Sequence, residues 1–91
     1  MKIVLNKSYG GFCLPTEFKA LYNINSYEEE CTVERTDERL IEFLADKDSY
    51  RTMWGKLKVV EIPDTCTDWE LNDYDGFESI TYVLGGKIFH A

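Results

Sequence analysis

Basic residues are what this chain is short of, and the shortage is uneven. Ten lysines and arginines stand against seventeen acids, a formal net charge of −7 over 91 residues. From Val59 to Gly86 there is no Lys or Arg, while Glu61, Asp64, Asp68, Glu70, Asp73, Asp75 and Glu78 fall in that window. Such a chain repels phosphate backbones and anionic lipid, and direct nucleic-acid binding would need a local basic patch that the sequence lacks. Histidine occurs once, at His90, and Cys13, Cys31 and Cys66 are odd in number and widely spaced, with no CxxC. A structural zinc site wants about four clustered N/S ligands, so this inventory points to no metal and no cofactor. Reduced cysteines packed as small hydrophobes are expected, as in a cytosolic protein. Long apolar runs are also missing. Lys2 is followed by only Ile3-Val4-Leu5 before Asn6, too short for a signal peptide, and no stretch approaches membrane-spanning length. The expectation is a cytoplasmic protein that does not engage a membrane.

Apolar residues, in contrast, are ample: 44% of the chain, including two Trp, six Tyr and five Phe. That supports one domain over residues 1–91. A chain this short buries only about 60–65% of its unfolded surface, which makes a homodimer an accessible way to gain burial. Ile3, Val4 and Leu5 form a continuous apolar run suited to a strand covered on both faces. Gly10-Gly11 permits a bend, with Tyr9 and Phe12 as packing residues at its flanks. A short helix is expected from Pro15 or Thr16, with Phe18, Leu21 and Tyr22 on one face, ending at Asn23-Ile24-Asn25-Ser26. Cys31, Thr32 and Val33 read as a short edge strand. Asp37 reads as the N-cap of a second helix whose apolar face is Leu40, Ile41, Phe43 and Leu44.

The second half is strand-like. Lys56-Leu57-Lys58-Val59-Val60-Glu61-Ile62 has strong β propensity and closes at Pro63-Asp64. Trp69 and Leu71 alternate with Glu70 and Asn72, which directs Trp69 to the core. Asp75-Gly76 is a hairpin signal, because both positions tolerate positive φ, and Gly85-Gly86 offers a second tight turn. The pattern predicts an α+β domain: one antiparallel sheet of about four to five strands, ending in a meander, with two helices.

Four segments carry a family likeness. They are Lys2–Phe12, with its KIVxNKxYGGFxL-type spacing, Glu34–Asp37, Lys56–Asp64, and Trp69–Glu78. In their order and spacing they resemble a family of small, uncharacterised proteins encoded by phages and prophages. The chain is similar to a short member lacking the polar, Tyr-rich central insertion of longer relatives. The resemblance implies a phage or mobile-element accessory protein in a bacterial host cell and supplies no catalytic residue.

The motifs closest to known chemistry fail on spacing. Lys7–Gly11 follows a strand but matches neither GxxxxGK[ST] nor GxGxxG. Aligning Gly76 with the glycine of a calcium loop puts Leu71 at the first ligand position and Tyr82 where the bidentate Glu is required, which excludes an EF-hand. A looser cation set of Asp73, Asp75 and Glu78 is the remaining alternative. With a single His and no base beside any Cys, nucleophilic catalysis has no recognisable parts, and an enzyme is not expected.

Binding is the better expectation. Asp68, Glu70, Asp73, Asp75 and Glu78 make a base-free acidic stretch, and Trp54, beside Tyr50 and Met53, is an anchor of the kind that interfaces use. The leading reading is an accessory protein that binds a host or phage protein through this acidic surface. The sharpest form of that reading is a nucleic-acid mimic that inhibits a host defence or nucleic-acid enzyme, its partner a basic nucleic-acid-binding protein. The alternative is a homo-oligomeric assembly protein that uses an aromatic patch.

Overall fold

The structure is a computed structural model describing all 91 residues. Its centre is β1 (Lys2–Asn6), paired antiparallel with β3 (Lys56–Glu61), which in turn pairs with the two-residue β2 (Tyr50–Arg51). Successive strand residues point to opposite faces, so an unbroken apolar triplet needs cover on both sides. It has that cover. Val4 packs with Leu14, Phe18, Val33, Leu40, Leu44 and Leu57 beneath the helices. Ile3 and Leu5 pack the other way, against Ile62 and Ile80. The layers are therefore helices, a first sheet in the order β1-β3-β2, and a second sheet made of β4 (Asp68–Tyr74), β5 (Phe77–Leu84) and β6 (Lys87–His90).

The α+β class holds, but the single sheet of four to five strands with two helices does not. The molecule has two three-stranded antiparallel sheets and three helices. Pro63 accounts for the break between the sheets. It has no N–H to continue a ladder, and a turn closed by Cys66 N–H on Pro63 C=O (3.2 Å) lifts the chain across to a second layer. The third helix is α2 (Tyr27–Cys31), which the sequence reading did not include, and the edge strand expected at Cys31-Thr32-Val33 does not form: Cys31 ends the helix and Thr32 is its C-cap. Ser26-x-x-Glu29 is the spacing of a capping box, and the Ser26 hydroxyl accepts from the Glu29 N–H at 3.1 Å. Glu28, Glu29 and Glu30 then sit at the positive end of the helix dipole.

The other helices follow their sequence signals. In α1 (Thr16–Leu21) Phe18 enters the core and meets the Tyr22 ring at a tilt, with centroids 4.9 Å apart. Leu21, expected on the same face, is exposed instead. In α3 (Glu38–Leu44) the Asp37 carboxylate accepts from the N–H groups of Arg39 and Leu40 at 2.8 and 3.4 Å, and Leu40 and Leu44 are buried.

The register of the second sheet puts Trp69 opposite Tyr82 and Tyr82 opposite Phe89, a row of three aromatics on the inner face. The neighbouring row, Leu71 and Ile80, seals against the first sheet, and Ile80 has no exposed surface. The aromatic row lies beyond that seal, so Trp69 is 37% exposed rather than a core residue. The overhang fits the elongated outline, 42 × 25 × 25 Å.

Candidate functional site

The most constructed part of the surface is the end where β1 leaves the first sheet. Asn6, fully buried, organises it. Its side-chain amide donates to the carbonyls of Ser8 (2.9 Å) and Gly76 (2.7 Å), and its Oδ1 accepts from the Lys56 N–H at 2.8 Å. One side chain thereby ties together the loop after β1, the loop before β3 and the β4–β5 turn.

Glycines let these segments touch. A Cβ on Gly10 would lie 2.0 Å from the Trp54 carbonyl oxygen, and one on Gly55 would lie 2.1 Å from Asn6 Oδ1. A Cβ on Gly76 would lie 2.7 Å from Gly10 C and Gly11 N. The Gly10 N–H closes the cluster by donating to the Asp75 carbonyl at 3.1 Å.

Glu78 completes the anchorage from below. Its Oε1 accepts from the Asn6 backbone N–H at 2.8 Å and pairs with the Arg35 guanidinium. Arg35 in turn lies over Phe12, its guanidinium carbon 3.6 Å from the ring centroid. A buried carboxylate is tolerable only when paired and hydrogen-bonded, and Glu78 is both. Lys7 flanks the site with its Nζ 5.7 Å from the Phe77 ring centroid. Burial, and then Lys58, hold the Lys7 ammonium below the usual lysine range, against the opposing pull of Glu78.

On this rigid base stand exposed aromatic and thioether side chains. Tyr9 contacts Tyr74 and Phe77, with ring centroids 6.5 and 5.5 Å apart. Trp54 and Met53 project from the neighbouring loop, and Trp54 is 65% exposed. Large apolar side chains left in water on a pinned framework are how interfaces present their anchors.

The acidic candidates separate. Asp68 and Glu70 are exposed on the outer face of β4, away from the aromatic end. Asp73 and Asp75 stand at the aromatic end, where Asp73 Oδ1 accepts from the Gly76 N–H at 2.8 Å. Glu78 points inward and is 2% exposed, so it leaves the surface set. The looser cation set loses the same member, and no three His, Cys, Asp or Glu side chains converge on a point.

The remaining features offer little chemistry. Burial and Glu30 push the Cys13 thiol above its usual value, away from nucleophilic thiolate. Cys31, expected to pack inside, is exposed. His90 Nδ1 lies 3.4 Å from Thr81 Oγ1 on an open sheet face. The largest concavity, about 370 Å³ between Met1, Asp64 and Trp69, is a shallow, open cleft. No helix is long and apolar enough to cross a membrane.

The sequence reading missed Tyr74 and Phe77 as surface anchors, treated Tyr9 as packing, and did not see Asn6 as a hub. One local signal was present: Tyr9-Gly10, Trp54-Gly55 and Gly76-Phe77 each set an aromatic beside a glycine. Comparison with protein-family models, curated proteins and solved structures yields no match.

Proposed function

We propose that this chain is a non-enzymatic accessory protein of the phage and prophage kind that its sequence resembles. In this reading it acts in the bacterial cytoplasm by docking on a protein partner. The docking surface is the aromatic end, with Trp54, Tyr9, Tyr74 and Phe77 as anchors and Asp73 and Asp75 as an acidic rim. A net charge of −7 and that rim favour a partner with a basic surface. The observation that carries the reading is the pairing of exposed aromatics with a framework that cannot relax around them. Asn6, Glu78 and three glycines without room for a Cβ hold the loops before any partner arrives.

The nucleic-acid mimic is the second reading. It rests on Asp68 and Glu70, two residues apart on one exposed strand face and so about 6.5–7 Å from each other.

The test is capture of partners from bacterial lysate by wild-type, Trp54→Ala and Glu70→Lys chains, each eluted by stepwise salt. A partner kept by Glu70→Lys and lost by Trp54→Ala, with affinity down by about 2 kcal/mol or more, supports the aromatic end. The opposite pattern, with release at moderate salt, moves the function to the outer face of β4. Equal capture by all three chains would sink both readings.

A further inference from the structure

Strand edges present unpaired N–H and C=O groups, and folded proteins shield them in a few recognisable ways. Three of the four edges here are shielded. The edge of β1 is covered, because the Val4 N–H donates to the Arg35 carbonyl (2.7 Å) and the Asn6 N–H to Glu78 (2.8 Å). The edge of β2 is only two residues long, and the stretch of β3 that extends past it carries the exposed charges Lys58 and Glu61. The edge of β4 carries Asp68, Glu70 and Asp73.

The edge of β6 has no comparable shield. All four of its residues are exposed, Ile88 by 66% and Phe89 by 40%, and its one acid-base residue other than His90 is Lys87, beside the turn. Ile80 and Ala91 exchange both backbone hydrogen bonds, at 2.8 and 3.0 Å. The alternation of an antiparallel ladder then turns the groups of Phe89 and Lys87 toward β5 and those of Ile88 and His90 outward.

We propose that β6 is a self-pairing surface, on which a second copy of this chain docks edge to edge and antiparallel. The register follows from which groups face out. A two-fold axis between facing Phe89 residues lets Ile88 of one copy exchange both backbone bonds with His90 of the other, and the reverse. The two three-stranded sheets become one of six strands. Phe89 meets Phe89 and joins the two Trp69–Tyr82–Phe89 rows into a continuous aromatic ladder on the inner face, covering the rings that the fold leaves wet.

Charge selects the same pairing. In a chain of net charge −7, β6 is a strand edge without an acid, and this register sets Lys87 against Ala91 rather than against its own copy. The acidic edge of β4 lies at the far side of each sheet. The main contact between the sheets is that of β1 with β5, and no residue of β6 belongs to either core cluster. The contact is isologous and closes as a dimer, because each copy then has only β4, with its acids, left as an open edge of that sheet. This surface is separate from the aromatic loop end, so the two proposals stand or fall apart.

Sedimentation of the full chain over a concentration series, at low and high salt, tests it, with amide hydrogen exchange on the same samples. The expected result is a monomer–dimer equilibrium that tightens with salt as repulsion between acidic copies is screened. The amides of Ile88 and His90 should slow with rising concentration while that of Phe89, already bonded within the sheet, does not change. Ile88→Lys, on an exposed side chain, should weaken the dimer about tenfold or more, and Glu70→Lys on the opposite edge should leave it intact. A dimer as tight in Ile88→Lys as in wild type would overturn the proposal. So would a chain that stays monomeric and protects Ile88 and His90 only when another protein is added, since the edge would then serve a foreign strand.

Discussion

Asp37 shows how one side chain can serve both backbone and charge. It caps α3 through the N–H groups of Arg39 and Leu40, and the Arg39 guanidinium grips the same carboxylate at 3.0 and 3.2 Å. The Arg39 contact, helped by the backbone donors and opposed by partial burial, holds the Asp37 carboxyl below its usual range. A carboxyl with a depressed folded pKa stabilises fully above its unfolded value, and that share is lost as pH falls through the folded value. Asp37→Ala should cost about 1 kcal/mol at neutral pH. Asp37→Asn should retain most of the cap while flattening the decline in stability below about pH 4, as read by thermal melts across pH. The cap was legible in the sequence because its donors lie two and three residues away. Glu78 was not legible: its partners, Asn6 and Arg35, are 72 and 43 residues distant, and nothing in the acidic stretch distinguishes the inward carboxylate from the outward ones.

The two hairpins of the second sheet use the same turn and should respond oppositely to substitution. Asp75-Gly76 takes φ of 51° and 88°, and Gly85-Gly86 takes 59° and 77°, both of the kind that fits a two-residue hairpin. At Gly76 a Cβ meets the backbone of Gly10 and Gly11, whereas at Gly85 it meets nothing within 4 Å. Gly76→Ala should therefore destabilise by about 2 kcal/mol or more, through strain and through separation of the loops. Gly85→Asn should stabilise by about 0.4–1 kcal/mol, because Asn adopts the turn conformation and restricts the unfolded chain. Urea melts of the two variants check both signs. Both turns were readable from their dipeptides, since a turn is chosen by local φ. That only one is clamped by a neighbouring loop was not readable. The helix α2 is a reverse case, where a local signal, Ser26-x-x-Glu29, was present but the β-formers Cys31-Thr32-Val33 just after the acidic run suggested an edge strand.

At the scale of the molecule, one short strand couples two cores. β1 contributes Val4 to the helical side and Ile3 and Leu5 to the side facing β5, so the second sheet has no core independent of the first. Ile80, fully buried between the sheets, should cost about 2–5 kcal/mol on truncation to Ala. If the layers are one cooperative unit, far-UV circular dichroism and hydrogen exchange in β5 and α3 should still report a single, coincident transition in that variant. Separate transitions would mean that the second sheet unfolds alone. The same layering sets aside both surfaces proposed above, since the second sheet reaches past the first at β6 and its other end meets the loops around Asn6.

By itself, the sequence determined what short-range chemistry decides. That includes the α+β class, a β1 covered on both faces because Ile3-Val4-Leu5 has no polar side to show water, the helix capped by Asp37, and the hairpins at Asp75-Gly76 and Gly85-Gly86. The tertiary structure alone decided that the strands divide into two stacked sheets, that Glu78 turns inward while Asp68 and Glu70 stay out, that Trp69 overhangs the core, and that Tyr9, Trp54 and Tyr74 share one end. The reason is physical. A turn or a cap is fixed by groups within about four residues along the chain, whereas burial and convergence depend on which distant segments pack together, and a residue's own type does not report its neighbours.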